Sequence, residues 1–272
     1  MTNKEYHSHP AVSKSDIDLF LASPAKFELK KLGKLAPPEN SALVLGSATH
    51  KLTLERADFD SEFSIEPVVD KRTKAGKEAY AEFYEKLGTK TAINIDIYHQ
   101  ALAMADAVLG DKIAKHFLSS GFAERSFFST YNGLEIKCRP DFYNEKLGVI
   151  VDLKTTSNLA EFSKSVGNFN YHIQAALYTD IARANGLEVK NFLFIVVEKT
   201  APFLVGFFEL SENAVEYGRA CYQTALDKII ALRAAGLEFP ATNAVTLNDD
   251  GKAQIQKIQT IDLPAWAYNK GA

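Results

Sequence analysis

Two aspartates and a lysine flank one apolar run in this chain. Arg139-Pro140-Asp141 lies just before Leu147-Gly148-Val149-Ile150-Val151, and Asp152-Leu153-Lys154-Thr155-Thr156 continues it. The run reads as a buried strand, and charged groups at such a place are costly unless something pairs with them. A divalent cation is the natural partner for the carboxylates, and a phosphate for a cation plus a lysine, so the chemistry suggested is metal-assisted attack on a phosphodiester. Residues two apart on a strand share a face, which puts Asp152 and Lys154 side by side. A turn near Glu145 would let the preceding strand bring Asp141 within about one pair of Asp152. The backbone carbonyl of Leu153 could add a ligand. Taken alone, Asp-x-Lys reads first as an ion pair at a strand end, with Lys154 neutralising Asp152; Asp141 upstream in a strand-turn-strand unit is what raises the catalytic reading.

A helix is predicted from Tyr171 to Ala184. Tyr171, Gln174 and Tyr178 fall on one face of it, beside the apolar stripe Ile173, Leu177 and Ile181. That face can reach a ligand at the sheet edge or form a half-exposed rim. Glu124 precedes the first strand of the sheet and reads either as a solvated glutamate or as a further ligand. His50, in Leu45-Gly46-Ser47-Ala48-Thr49-His50, reads by default as a satisfied core histidine. Cys138 reads as core packing.

The elements that must position these groups follow from local signals. Ser13 with Asp16, and Ser23-Pro24, mark two helix starts. Further helices are expected from about Ala42 to Arg56, Thr73 to Leu87 and Ile97 to Leu118. Strands are expected at Arg125–Thr130 and Leu134–Phe142 around an Asn132-Gly133 hairpin turn, then at Gly148–Leu153. Two more follow at Asn191–Glu198 and Phe203–Leu210, and Ser211 caps a helix running to Gly236. The order gives an α/β fold with a mixed central sheet flanked by helices, preceded by a helical N-terminal region. Residues 1–121 are the mainly helical part carrying His50, 122–240 the catalytic core and 241–272 a C-terminal tail, all in one domain.

The bulk numbers agree with a soluble enzyme. The chain has 272 residues, 46% hydrophobic and 24% charged, a net charge of −3 and two cysteines. No run approaches the ~20 apolar residues of a membrane span, and no signal peptide is evident, so a cytoplasmic location is expected. Two cysteines are too few for a cysteine-ligated cluster. The negative charge excludes a non-specific nucleic-acid coat. The basic groups Lys26, Lys30, Lys31, Lys34 and Lys71, Arg72, Lys74, Lys77 read as solvated helix faces.

Together, Arg139-Pro140-Asp141, Asp152-Leu153-Lys154-Thr155-Thr156 and Tyr171-His172-Ile173-Gln174-Ala175-Ala176-Leu177-Tyr178 resemble the RecE-type (exonuclease VIII) nuclease domain, on the RecB-like branch of the PD-(D/E)xK superfamily. Val12-Ser13-Lys14-Ser15 and Leu45-Gly46-Ser47-Ala48-Thr49-His50 resemble that family's opening motifs, and Leu263-Pro264-Ala265-Trp266-Ala267 its closing one. The resemblance implies a restriction-endonuclease-like core. It also implies a Mg²⁺-dependent 5′-to-3′ exonuclease on double-stranded DNA ends, leaving 3′ single strands, with Mn²⁺ able to substitute. It makes Asp141 and Asp152 metal ligands and Lys154 the residue acting on the water. His50 and Glu124 become further ligands or approach the phosphate, while Gln174 and Tyr178 brace the lysine and the scissile phosphate. It further implies a phage or prophage origin, a homotetrameric ring around DNA, and a RecT-like single-strand annealing partner. A structure- or sequence-specific endonuclease, and a non-catalytic DNA-end-binding module, are the alternatives.

Overall fold

The computed structural model describes residues 1–35, 41–242 and 244–256. The closing motif at Leu263–Ala267 and the Pro37-Pro38 break therefore lie outside the described residues. The N-terminal part comprises α1 (Asn3–Ser8), α2 (Lys14–Ala22), α3 (Pro24–Lys31), α4 (Ser41–Leu54), α5 (Phe59–Glu62), β1 (Phe63–Ile65), α6 (Lys74–Leu87), β2 (Thr91–Ile93), α7 (Ile95–Gly110) and α8 (Lys112–Phe117). The central part comprises β3 (Gly121–Ala123), β4 (Phe127–Tyr131), β5 (Leu134–Cys138), β6 (Phe142–Asn144), β7 (Val149–Thr156), α9 (Phe162–Asn168), α10 (Tyr171–Ala184), β8 (Asn191–Glu198) and β9 (Val205–Glu209). It is followed by α11 (Glu212–Ala234), β10 (Val245–Leu247) and β11 (Ala253–Ile255).

The serine signals mark real helix starts. Ser13 and Asp16 form a reciprocal capping box on α2, and the Ser23 hydroxyl caps α3 with Pro24 in its first turn. The expected long helix over 97–118 is two helices. Asp111 leaves the helical path and accepts hydrogen bonds from the Ile113 and Ala114 amides, which ends α7 and starts α8.

A mixed five-stranded sheet in the order β3-β6-β7-β8-β9 forms the centre. Its β7–β8 pair is parallel and joined through α9 and α10, whereas its other pairs are antiparallel. The hairpin at Asn132-Gly133 is present, but β4 and β5 form a two-stranded sheet of their own, joined outside it by a parallel bridge from Val12 to Ile136. The expected strand 134–142 is cut at Arg139-Pro140, because proline lacks the amide needed to continue a ladder. β5 therefore stays outside the main sheet, and β6 enters it two residues after Pro140.

Alternation along β7 sorts the core. Val149, Val151 and Leu153 face α4 and α7, packing in one cluster with Leu45, Ala48, Leu52 and Met104. Ile150 faces the opposite side, with Ala175 and Ala182 of α10. α10 in turn packs on α11, where Gly218 lets the two backbones approach; a Cβ there would lie 2.2 Å from the His172 carbonyl oxygen. Gly148 opens β7 in the left-handed region, at φ +69°, with the Glu188 carbonyl oxygen 2.5 Å from where a Cβ would stand.

The helical N-terminal part is tied to the sheet through Asn144. Its buried amide donates to the carbonyls of Phe117 at 3.0 Å and Ser119 at 2.5 Å, and its Oδ1 accepts from the Leu147 amide at 2.9 Å. Asn144→Ala should lower the unfolding free energy by about 1–3 kcal/mol, because a buried side chain and three part-buried backbone hydrogen bonds across the junction are lost together. Urea denaturation checks this, and a loss within ~0.5 kcal/mol would show that the junction holds without this side chain.

Candidate active site

The β6–β7 ladder runs Phe142↔Val151, Tyr143↔Ile150 and Asn144↔Val149. Extended by one position, that register sets Asp141 opposite Asp152. Asp141 is already off the strand, and its Oδ2 accepts the Leu153 amide at 2.7 Å. The peptide that serves the site here is thus the Leu153 N–H. Asp141 Oδ2 also lies 3.3 Å from Nδ1 of His50, which α4 brings in from the Val151/Leu153 side of the sheet.

Glu124 follows β3, with its amide donating to the Asp141 carbonyl at 3.1 Å. Its backbone is left-handed at φ +50°, a conformation that costs energy for a non-glycine residue and turns its side chain toward Asp141 and His50. One ligand atom each from His50, Glu124 and Asp141 falls within 4.8 Å of the others. Burial, and then the nearby Asp141 charge, push Glu124 up to about 8. Two carboxylates and an imidazole crowded in this way form a donor set that a hard divalent cation satisfies, since the cation offsets the like-charge repulsion.

Asp152 is fully buried, and both of its oxygens are engaged: Oδ1 accepts from Gln174 Nε2 and Oδ2 from Lys154 Nζ. Burial raises this carboxyl to about 6, against the pull of Lys154 and with Asp141 adding to the rise. Burial acts to lower Lys154, but Asp152 and Asp141 outweigh it, so the ammonium is held above its ordinary value and stays charged. Lys154 also sits 4.8 Å from the centroid of the Tyr171 ring.

These groups border an open cleft of about 640 Å³ whose walls include His50, Glu124, Lys154, Thr155 and Tyr171. The lining also includes Lys51 with Glu55 and Glu62, paired at 2.9 and 2.8 Å. Met1, Thr2 and Asn3 close one end, held there by Arg139, whose Nη2 donates to the Met1 carbonyl at 2.9 Å. Lys137 works alongside it, donating to the carbonyls of Tyr6 and His9. Arg139 therefore anchors the N-terminal segment.

Among the residues singled out in the sequence, His50, Glu124 and Asp141 converge on one point, and Asp152, Lys154 and Gln174 form an adjoining network. Tyr178 is not on the cleft wall; it packs within the core, its ring meeting Phe192 at 6.5 Å, and burial raises its hydroxyl well above the ordinary range. Cys138 is fully buried, as its place in a strand suggested. Lys14 was quoted only as part of an opening motif, yet it reaches the Tyr171 ring at 5.6 Å from the other end of the chain. No local pattern announces a contact across that sequence distance.

Comparison with known proteins agrees with this architecture. No curated protein matches the chain. A structure from Eubacterium rectale titled "Putative exonuclease" superposes with a TM-score of 0.67 over 100% of this chain and 98% of that one, at 18% identity, and so shares the fold. A second structure, SSO0001, is 13% identical over 80% of each chain, with a TM-score of 0.36, too low to indicate a common fold. A family model described as a PDDEXK-like domain of unknown function matches residues 13–242, which span the Pro140-Asp141 and Asp152-Leu153-Lys154 motifs and the helix carrying Gln174. With that match covering most of its length, the chain belongs to the DUF3799 family of PDDEXK-like domains.

Proposed function

We propose that this protein is a divalent-metal-dependent DNA exonuclease of RecE type, removing the 5′-ended strand of a duplex end and leaving a 3′ single strand. One observation carries the reading: a three-donor cation pocket (His50, Glu124, Asp141) and a charged lysine held by a buried aspartate share the same cleft. Mg²⁺ is the proposed ion, with Mn²⁺ able to replace it. When bound, such an ion supplies Lewis acidity at a phosphate oxygen and lowers the pKa of a water. Asp141, Glu124 and His50 would hold it, and Asp152 and the Leu153 carbonyl are the further ligands proposed from the sequence.

The chain's own groups have separable tasks. Lys154, charged and flanked by Asp152 and Tyr171, donates hydrogen bonds to the attacking water or to the charge that develops on the phosphate. Asp152 and Gln174 fix where that ammonium points, at no reorganisation cost during the reaction. Glu124 and His50 hold Asp141 in a constrained position. The resemblance to RecE-type nucleases further suggests a homotetrameric ring and a RecT-like annealing partner that receives the 3′ strand; this is an assembly in which several copies can pool positive charge around DNA.

Linear duplex labelled separately at its 5′ and 3′ ends, incubated with Mg²⁺ beside a closed circle, should lose the 5′ label first while the circle survives. Asp141→Asn and Lys154→Met should each slow digestion by at least ~100-fold with an unchanged circular dichroism spectrum. A nicked or linearised circle would replace this reading with an endonuclease, and a protein inert with every divalent ion would leave a DNA-end-binding module.

The raised Glu124 makes a separate prediction. Between its ordinary value of 4.5 and about 8 the folded state binds a proton that the unfolded state has released, so stability should fall as pH rises through that window. Glu124→Gln should therefore match the metal-free wild type near pH 5 and exceed it above pH 8, by a margin of order 1 kcal/mol or more. Mg²⁺ should restore the wild type at high pH but not the variant. Thermal melts across pH, with and without Mg²⁺, decide the matter, and parallel curves for the two proteins would remove Glu124 from the pocket.

A further inference from the structure

Beyond the residues already assigned, one aromatic group next to the cleft is built outward. Phe169 is 57% exposed, the one phenylalanine so exposed among the described residues, and its ring stacks on Tyr171 with a centroid distance of 5.7 Å and an interplanar angle of 29°. Tyr171 is itself a cleft residue beside the Lys154 ammonium. The result is a continuous row from Lys154 to the Tyr171 ring to the Phe169 ring, starting at the reacting centre and ending in solvent.

The backbone that presents this ring is fixed at some cost. Asn170, the next residue, is left-handed at φ +53°, and its side-chain amide donates to Asp18 Oδ1 at 3.0 Å. The Phe169 carbonyl accepts from Lys14 Nζ at 2.5 Å, and Lys14 is paired with Asp18 at 2.6 Å. Two charged side chains from α2 thus brace a strained turn whose exposed product is one phenyl ring. Strain of this kind persists only where the surroundings enforce it, and it concentrates at functional positions.

We infer that Phe169 is a stacking platform for an unpaired nucleobase at the DNA end, extending the row Lys154–Tyr171 and positioning the strand for the cleft. The inference rests on the nucleic-acid reading above. Aromatic faces bind any base without reading its identity, which suits a substrate defined by its end rather than its sequence. Lys154 and Lys14 lie 4.8 and 5.6 Å from the Tyr171 centroid, so positive charge borders the same row.

The test uses the full chain with Ca²⁺, which is expected to support binding without turnover, and a duplex with a short single-stranded end carrying 2-aminopurine at its terminal position. Wild type should quench the 2-aminopurine fluorescence. Phe169→Ala and Phe169→Leu should lose that quenching and bind about five- to 100-fold more weakly, and Phe169→Trp should restore both. Leucine preserves the apolar bulk, so its failure beside a working tryptophan separates stacking from packing. Wild-type quenching and affinity in Phe169→Ala would overturn the inference, as would a fall in oligomer mass in that variant, which would mark Phe169 as a contact between copies. Digestion by the wild type with Mg²⁺, run in parallel, keeps the two readings apart. Digestion without any effect of Phe169 sinks the platform alone, whereas Phe169-dependent quenching without digestion sinks the nuclease and leaves a stacking site.

Discussion

A carboxylate with no access to water must be supplied with hydrogen-bond donors from within the protein, and Asp152 imposes that demand on everything around it. It lies in the middle of an eight-residue strand whose other positions are apolar or polar without charge up to Lys154. Its two oxygens need two donors, and the strand's own alternation provides one, since Lys154 falls on the same face. The second donor must come from the layer above, which is α10, and there Gln174 meets it. The helix cannot slide by a residue without leaving one buried oxygen short of a donor, a penalty of about 1–3 kcal/mol. The register of α10 on the sheet and the placement of Tyr171 one turn earlier both answer to that one carboxylate.

The interruption of the β6–β7 ladder is the complementary constraint. Pro140 cannot donate to a strand, so pairing stops where a chemically useful gap is needed, and the Leu153 amide is left for the Asp141 side chain. Two left-handed residues then complete the arrangement from opposite directions. Glu124 turns off the end of β3 toward the gap, and Asn170 turns into α10 and exposes Phe169. Both are non-glycine residues whose conformations are enforced by neighbours, the Asp141 carbonyl in one case and the Asp18 carboxylate in the other. Local preference is overridden at both positions, as it also is at Ser120 and Phe203.

The reach of each signal along the chain explains what the sequence could and could not disclose. Ser13 with Asp16, Ser23-Pro24, Asn132-Gly133 and Ser211 carry their meaning locally, and each does in the structure what it signals in the chain. Asp152 and Lys154 were legible as neighbours because a two-residue strand period needs no tertiary information. Their meeting with Gln174 was legible only as a shared face, since the distance between strand and helix is set by α11 and the sheet behind it. His50 was less legible still, because a histidine on an apolar helix has no local mark that distinguishes packing from ligation. The detachment of β4–β5 from the sheet turns on Pro140, whose place in a strand-like run of the sequence does not by itself mark where the ladder stops. Lys14 could not be placed at all, because its contact with the Phe169 carbonyl spans 155 positions.

Charge shows what a metal would add to this cleft. Several basic residues are spent within the fold, whereas Lys71, Arg72, Lys74 and Lys77 stay exposed. Lys30 and Lys31 share Asp16, Lys51 is held by Glu55 and Glu62, and Lys137 and Arg139 secure the first residues of the chain. Lys154 reaches the cleft already paired with Asp152, while Glu124, Glu55, Asp58 and Glu62 all line the same space. The charged side chains lining the cleft nearly cancel, Lys51, Arg139 and Lys154 against Glu55, Asp58 and Glu62, with Glu124 raised to about 8. A divalent ion among His50, Glu124 and Asp141 would tip that balance positive within a Debye length, ~8 Å at physiological salt. It also relieves the Glu124–Asp141 repulsion and frees Lys154 to face a phosphate. The metal then strengthens DNA binding by the same factor by which DNA strengthens metal binding, because linkage between two ligands is reciprocal. In the function proposed here, the metal site therefore helps an acidic protein admit an acidic substrate as well as being the centre of its chemistry.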